Sequence, residues 1–196
     1  MSYSVESGSS GCYEGTLVLM NKLDIRDEEE LAELESILTT TRITMLLSEP
    51  YKGSFSAEHY CELHRVIMGD LYDWAGQVRT VPLSKKGTRF HAPEGLERDL
   101  GLLFGYLNDE NCFLDLKGED YAAAIAEFYS DLNLLHPFRE GNGRTQRVLI
   151  TQLIERSGRS IDFSRCDKEG LMIATIFAAQ GVADQLREFF AEAIKE

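Results

Sequence analysis

The feature that most constrains this fold is the stretch of residues 136–147, with the sequence HPFREGNGRTQR. Residues 119–135 before it repeat apolar side chains at helical spacing, and residues 144–157 after it do the same. The two glycines between these segments favour a loop, because glycine weakens a helix and accepts backbone angles that other residues avoid. The sequence therefore predicts two helices joined by a glycine-rich loop that carries several charged side chains.

The loop Gly141-Asn142-Gly143 has the features of an anion site. Its successive N–H groups can point into one concavity, and it forms the N-terminus of the next helix, where N–H donors and the helix dipole attract a phosphate. Arg144 and Arg147 lie three residues apart on that helix, so both guanidinium groups share a face. Each can bind phosphate oxygens in bidentate fashion, which indicates more than one phosphate.

Two further side chains complete a site for phosphate chemistry. Glu140 precedes the loop, where a carboxylate would repel phosphate unless a cation lay between them, and Mg²⁺ is commonly held by one carboxylate plus substrate phosphates. The histidine side chain has an ordinary pKa of about 6.5, so His136 can accept a proton from an attacking hydroxyl near pH 7. Each residue alone also fits a structural role, as a helix cap or a solvated charge. Their combination at fixed spacing favours catalysis.

The stretch resembles the signature of the Fic (filamentation induced by cAMP) family, H-x-F-x-[D/E]-G-N-G-R-x-x-R, and fills every specified position. The resemblance implies a protein adenylyltransferase that moves AMP from Mg-ATP to a side-chain hydroxyl of a target protein. It implies His136 as general base, Phe138 as an anchor in the core and Glu140 as the magnesium ligand. Nucleotide binding is assigned to the loop and the following helix, at Gly141, Asn142, Gly143, Arg144 and Arg147.

Three other activities share parts of this pattern. In the related Doc-type kinases a lysine replaces the second glycine of the loop and a phosphate is transferred, so Gly143 argues against that variant. A transferase of UMP, GMP or another phosphate-linked group would share the loop, and no residue identifies the base. A non-catalytic binding module is the least favoured alternative, because it has little reason to retain His136, Glu140 and both arginines together.

Composition disfavours several classes of protein. The chain has 33 acidic and 20 basic residues and a formal net charge of −13, so it lacks the excess of Lys and Arg that non-specific nucleic-acid binding requires. Its four cysteines form no Cys-x-x-Cys pair and have no histidine at ligand spacing, which disfavours a zinc site or a disulfide framework. The sequence has no N-terminal signal pattern and no apolar run near 20 residues. We therefore expect a cytoplasmic protein that binds neither membrane nor nucleic acid directly.

The remaining pattern predicts a mainly α fold, a single Fic-type helical bundle with a small β-hairpin flap near the active site. Residues 1–12 are predicted to be a disordered tail, and residues 13–196 one Fic domain. Asp27 and Ser56 are predicted to cap two helices, Pro93 to open another, and two more to cover residues 167–181 and 183–195. The first helix is predicted to be core packing without chemistry, through a stripe of Leu31, Leu34, Leu38, Thr41 and Met45. The histidines of the second helix, His59 and His64, are predicted to be structural.

Residues 79–91 contain a hairpin signal, because short extended runs flank Lys85-Lys86-Gly87 and the glycine suits a turn. A surface hairpin with solvated lysines fits these residues. The resemblance adds a second interpretation, since Fic proteins carry here a flap that aligns the target segment by strand addition and leans over the nucleotide. Lys86 and Gly87 are therefore candidate contacts to nucleotide or target.

Regulation is where the resemblance leaves alternatives open. Many Fic proteins are restrained by a helix with the string [S/T]-x-x-x-E-[G/N], whose glutamate pairs with the last motif arginine, here Arg147. Residues 10–15 fit the string with Glu14, but their glycines disfavour a helix. The resemblance therefore favours a toxin whose inhibitory helix lies on a small antitoxin. For related toxins it suggests a type II topoisomerase as the target. A secreted effector would need a delivery signal that the sequence does not show, so that alternative requires the chain to be one domain of a longer protein.

Overall fold

The computed structural model describes residues 11–85 and 88–195, and this part of the chain is mainly helical. The predicted mainly α fold is confirmed, because the strands of the described part contain only two residues each. Its helices are α1 (Glu28–Leu46), α2 (Ala57–Met68), α3 (Leu96–Asp109), α4 (Gly118–Leu135), α5 (Asn142–Arg156), α6 (Lys168–Ala178) and α7 (Asp184–Ala193), with a 3₁₀ turn at Asn111–Phe113.

Polar caps set the starts of several helices. The Asp27 carboxylate accepts a hydrogen bond from the Glu30 N–H at 2.9 Å, and the Ser56 hydroxyl accepts one from the His59 N–H at 3.2 Å. Both predicted caps are confirmed. Helix α3 begins at Leu96 rather than at Pro93, because Gly95 takes a left-handed conformation with φ of 86° before the first helical turn.

Helix α4 lies at the centre of the bundle, where it packs against α3, α5 and α7. Helix α5 also packs against α2, and α1 lies on the outer side of α2. The core between them is rich in aromatic side chains that meet edge to face, as between Phe104 and Phe128. Since other helices hold both α4 and α5, the loop between them is fixed at each end.

The predicted stripe of α1 is confirmed in its first half, where Leu31 is buried and Leu38 packs against the core, but not in its second half. Thr41 and Met45 are exposed, whereas Thr39 is buried and Glu35 partly buried. The prediction was incomplete because the inward face also carries a charge: Glu35 pairs with Arg144, on the motif helix. Apolar periodicity does not detect a face that is held by ion pairs.

The described strands are β1 (Ser84–Lys85) and β2 (Thr88–Arg89), an antiparallel pair in which Ser84 faces Arg89. This pair is too short to confirm the predicted hairpin flap, and its turn residues Lys86 and Gly87 lie outside the described residues. Phe90 continues the pairing, since its N–H donates to the Leu83 carbonyl at 3.2 Å.

Residues 11–15, the described part of the inhibitory string, do not form the helix that the string would require. Residues 11–15 make a turn and part of an isolated bridge between Cys12 and Leu19, and Glu14 is exposed. The predicted boundary after residue 12 stays a prediction, because residues 1–10 lie outside the described part. Among the helices of residues 11–85 and 88–195, none combines the length and the apolar character needed to cross a bilayer.

Candidate active site

His136 ends α4 in a left-handed turn. Its φ and ψ are 45° and 58°, a conformation that is uncommon outside glycine but is favoured by histidine more than by most residues. Its N–H still donates to the Leu132 carbonyl at 3.2 Å, so the helix closes as the chain turns into the motif loop. The side chain is 5% exposed and lies at the junction that the sequence predicted.

The orientation of the His136 ring fixes its tautomer. Nδ1 lies 3.0 Å from the carbonyl oxygen of Asn133, and because a carbonyl only accepts, Nδ1 carries the proton. A neutral ring in this state has its lone pair on Nε2. The ring also stacks on Phe90, with centroids 3.7 Å apart and planes inclined by 10°. The hydrogen bond to the Asn133 carbonyl and the stack on Phe90 together hold the His136 ring in one orientation, in which Nε2 is the basic atom.

Arg79 connects this turn to the segment that carries the two strands. The guanidinium is 5% exposed and donates to four main-chain carbonyls, those of His136 at 2.8 Å, Val81 at 2.7 Å, His91 at 2.6 Å and Leu135 at 3.2 Å. Burial lowers the pKa of Arg79 to about 10, which leaves it cationic near pH 7. One side chain therefore ties both legs of the strand pair to the backbone of His136.

Phe138 and Asn142 fix the interior of the loop. Phe138 is fully buried and its ring stacks on His64 with centroids 3.8 Å apart, which confirms its predicted role as an anchor. The Asn142 side chain accepts from the Phe138 N–H at 2.8 Å and donates to the Phe138 carbonyl at 2.7 Å. The Asn142 side chain is thus committed to the loop, and only its N–H is available for the predicted anion contact.

His64 supports the loop from beneath. Its Nδ1 accepts from the Gly76 N–H at 2.8 Å, so Nε2 carries the proton and donates to the Glu140 carbonyl at 2.9 Å. Burial lowers the pKa of His64 to about 4. The structural role predicted for His64 is confirmed. The structure also shows that His64 bonds the backbone of the motif, at Glu140.

This arrangement predicts that the protein loses stability as pH falls through the range in which only the unfolded chain protonates His64. The folded pKa of about 4 lies below the ordinary 6.5, so the contribution is present above pH 6.5 and is lost progressively towards pH 4. At pH 5 the loss should be about 2 kcal/mol. Denaturant unfolding at pH 7 and pH 5 measures it.

His64→Gln is the matched control for this prediction, because a glutamine amide can make both hydrogen bonds and does not titrate. The wild type should lose about 2 kcal/mol more than His64→Gln between the two pH values. Equal losses in the two proteins would show that His64 protonation does not limit stability.

The two loop glycines are required for different reasons. Gly141 has φ of 79°, and a Cβ there would lie 2.8 Å from the Met68 sulfur, so backbone angle and space both exclude other residues. A Cβ at Gly143 would lie 3.3 Å from Arg147 Nη1, so this glycine leaves room beside the guanidinium.

The backbone N–H groups around the loop differ in their partners. The Gly141 N–H donates to Glu140 Oε1 at 2.9 Å. The first helical hydrogen bond of α5 runs from the Thr145 N–H to the Gly141 carbonyl at 3.1 Å. The N–H groups of residues 142–144 come before it, so they are the backbone donors that the start of α5 offers to an anion.

Arg144 and Arg147 line one cavity of about 220 Å³ between α1, α5 and residues 161–164. Its other walls include the apolar side chains of Ile43 and Leu47. Arg147 also lies near the buried hydroxyl of Tyr129, whose pKa is raised by burial while the arginine charge opposes that rise. The predicted common face of the two arginines is therefore present.

Glu140 fits a magnesium ligand by its chemistry. Its Oε1 lies 3.7 Å from Arg144 Nη2, beside the loop, and a single carboxylate is what Mg²⁺ needs when phosphates complete its coordination. Within residues 11–85 and 88–195, no three His, Cys, Asp or Glu side chains cluster as an all-protein metal site would require. The magnesium role of Glu140 stays a prediction.

The structure therefore brings His136, Glu140, the loop and both arginines to one junction, and places the candidates Lys86 and Gly87 outside the described residues. It adds residues that sequence reasoning missed, among them Arg79, which bonds the His136 carbonyl, and Glu35, which bonds Arg144. The sequence contains one signal for Glu35, a charged residue at an inward position of α1. No sequence pattern indicates that Arg79 contacts the motif.

Comparisons with a family model and with individual known proteins agree on one family. The model of the Fic/DOC family matches residues 54–154. The chain is 35% identical to "Probable protein adenylyltransferase y4lH" of Sinorhizobium fredii, over 87% of this chain and 88% of that protein. It is 32% identical to "Protein adenylyltransferase VbhT" of Bartonella schoenbuchensis, over 86% of this chain but only 35% of VbhT.

A solved structure extends the likeness to nearly the whole fold. The BepC protein of Bartonella tribocorum, solved with bound AMPPNP, superimposes with a TM-score of 0.89 and 26% identity. The match covers 95% of this chain and 96% of that one, so helices on both sides of the matched family region share the arrangement.

Proposed function

Because the chain belongs to the Fic/DOC family, we propose that it is a protein adenylyltransferase that transfers AMP from ATP to a side-chain hydroxyl of a target protein. The observation that carries the proposal is the His136 ring, whose Nδ1–H is held by the Asn133 carbonyl at the end of α4. The glycine loop and the two arginines follow within the next eleven residues of the chain. Relatives bear the same activity in their names, and the BepC structure holds an ATP analogue.

In the proposed reaction His136 acts as general base. The target hydroxyl gives its proton to Nε2 as its oxygen attacks the α-phosphorus of ATP, and the bond from that phosphorus to the bridging oxygen of the β-phosphate breaks. Pyrophosphate is the leaving group. The donors at the start of α5, with Arg144 and Arg147, face the charge that builds on the phosphate oxygens.

Glu140 is the residue that would hold Mg²⁺ with the phosphates. When bound, the ion neutralises phosphate charge and favours departure of pyrophosphate. Glu140 Oε1 accepts the Gly141 N–H in the structure, so its carboxylate is already oriented by the loop.

We further propose that residues 79–91 form the target-aligning flap, with Lys86 and Gly87 as contacts to nucleotide or target. The tie from Arg79 to His136 supports this, because it sets the two strands beside the base. An exposed strand edge can place a peptide through main-chain hydrogen bonds with little demand on its sequence.

The proposed biological setting is a toxin–antitoxin pair. We propose that residues 13–196 act as the toxin of a toxin–antitoxin pair in the cytoplasm, with a type II topoisomerase as target. A small antitoxin would supply the inhibitory helix near Arg147, and the non-helical form of residues 11–15 supports its placement on a partner. The net charge of −13 agrees with a target that is protein rather than nucleic acid.

The test is to incubate the chain and Mg²⁺ in a bacterial lysate with each of the four nucleoside triphosphates labelled at the α-phosphate, and separately with ATP labelled at the γ-phosphate. We expect a protein band labelled only by α-labelled ATP. Label from γ-labelled ATP would indicate phosphate transfer, and label from another base would indicate a different nucleotidyltransferase. Absence of label from every nucleotide would favour the non-catalytic alternative.

A further inference from the structure

We propose that Glu35 of α1 is a positioning residue for Arg144; the inference rests on the proposed function, in which Arg144 binds ATP phosphates. Arg144 Nη2 donates to Glu35 Oε1 at 2.6 Å, and Nη1 lies 3.4 Å from the Thr39 hydroxyl one helical turn further along α1. The side chains of Arg144 and Glu35 are only 23% and 15% exposed. An ion pair this far removed from water is less screened than one on the surface.

Glu35 is itself fixed from the other side. Its Oε2 accepts from the Tyr72 hydroxyl at 2.7 Å, and Tyr72 is a buried residue whose ring stacks on Trp74 with centroids 4.4 Å apart. Burial and then the Glu35 carboxylate raise the pKa of Tyr72, so the hydroxyl remains a donor. Each carboxylate oxygen of Glu35 therefore has its own partner, one in the core and one in the motif.

The consequence lies in the conformational freedom of Arg144. A free arginine side chain loses rotamer entropy when it binds phosphate, whereas one already held in place has lost that entropy during folding. A guanidinium has five N–H donors, and the contacts to Glu35 and Thr39 use two of them. Arg144 can thus be held by α1 and still donate to a phosphate.

Helix α1 lies before the region that the family model matches, residues 54–154, and the sequence pattern predicted no chemistry for it. The proposal gives the helix a role beside the site through Glu35. Within residues 11–85 and 88–195, the helix forms two ion pairs with other elements, Glu35 with Arg144 and Arg42 with Asp70, of which the first involves the motif.

These two pairs provide a matched comparison. Glu35→Gln removes the charge beside Arg144, while Asp70→Asn removes the partner of Arg42, which is bonded at 2.7 and 2.8 Å. The Kd for AMPPNP with Mg²⁺, together with KM and kcat of AMP transfer, would be measured for both variants. We expect Glu35→Gln to raise Kd and KM about three- to tenfold with kcat changed little, from the cost of ordering one long side chain. Asp70→Asn should leave Kd and KM within about twofold of the wild type.

Tyr72→Phe should move Kd in the same direction as Glu35→Gln but by less, because it frees one carboxylate oxygen and leaves the ion pair. An unchanged Kd in Glu35→Gln, or an equal rise in Asp70→Asn, would overturn the proposal by making Glu35 a structural contact only. A lower Kd would also overturn it, since Glu35 would then compete with phosphate for Arg144. If the wild type transferred no AMP, the proposed function would fail, while the AMPPNP affinities would still decide the role of Glu35.

Discussion

Replacing His136 with alanine should slow AMP transfer by about 10²–10⁴-fold, the range expected when a general base is lost. ATP binding should persist, because the loop is held independently by Asn142 and His64. The ring makes its Nδ1 contact to the Asn133 carbonyl and its stack on Phe90, so its removal deletes the base and leaves the phosphate donors in place. Rates with α-labelled ATP and Kd for AMPPNP measure the two effects.

His59→Gln is the control for this variant. His59 lies on α2, bonds Gln152 at 2.8 Å and stacks on Tyr51, so it is a partly buried histidine without contact to the motif. The control should retain transfer within a few-fold of the wild type. Undiminished transfer by His136→Ala would remove His136 from the mechanism.

Arg79→Lys is the second substitution for which we expect a large effect. A lysine cannot reach all four carbonyls that the planar guanidinium bonds, so several buried acceptors would lose their donor. Stability should fall by about 3 kcal/mol or more, since single hydrogen bonds to charged groups contribute about 1.5–3 kcal/mol. The kcat of AMP transfer should fall at least about tenfold, because the hydrogen bonds by which Arg79 links the His136 backbone to the strand pair would be lost. KM for ATP should change little, because Arg79 does not contact the anion loop.

Arg98→Lys serves as its control, because Arg98 is exposed on α3 and pairs with the adjacent Asp99. This change should affect stability by less than about 1 kcal/mol and leave kcat unaltered. Both variants would be assayed well below their unfolding temperatures, after denaturant unfolding has given their stabilities. A normal kcat in a folded Arg79→Lys protein would mean that the tie does not position His136.

The candidate site could be predicted from sequence because its chemistry is local. His136, Glu140, the glycine loop and both arginines lie within residues 136–147, and the two helices that flank the loop follow from apolar spacing. The caps at Asp27 and Ser56 were predictable for the same reason, since a cap bonds an N–H only three residues ahead.

The supporting contacts could not be predicted, because they join residues far apart in sequence. Arg79 bonds a carbonyl 57 positions away, and Arg144 bonds Glu35 across 109 positions. The local contacts of these arginines, Arg79 to the Val81 carbonyl and Arg144 to Glu140, do not indicate the distant partners, and buried ion pairs do not follow apolar periodicity. The inward position of Glu35 on α1 was missed for that reason. The start of α3 was misplaced because Gly95, and not Pro93, precedes its first turn.

The most direct test of the central claim is the mass of the adduct on the labelled target. The target would be isolated after reaction with unlabelled ATP and Mg²⁺, and its peptides sequenced by tandem mass spectrometry, with a purified type II topoisomerase treated in parallel. We predict one adenylate on a serine, threonine or tyrosine hydroxyl, formed by the wild-type chain and formed at least about a hundredfold more slowly with His136→Ala. A phosphate or a different nucleotide at that position, or an adenylate that forms equally fast with His136→Ala, would contradict the account.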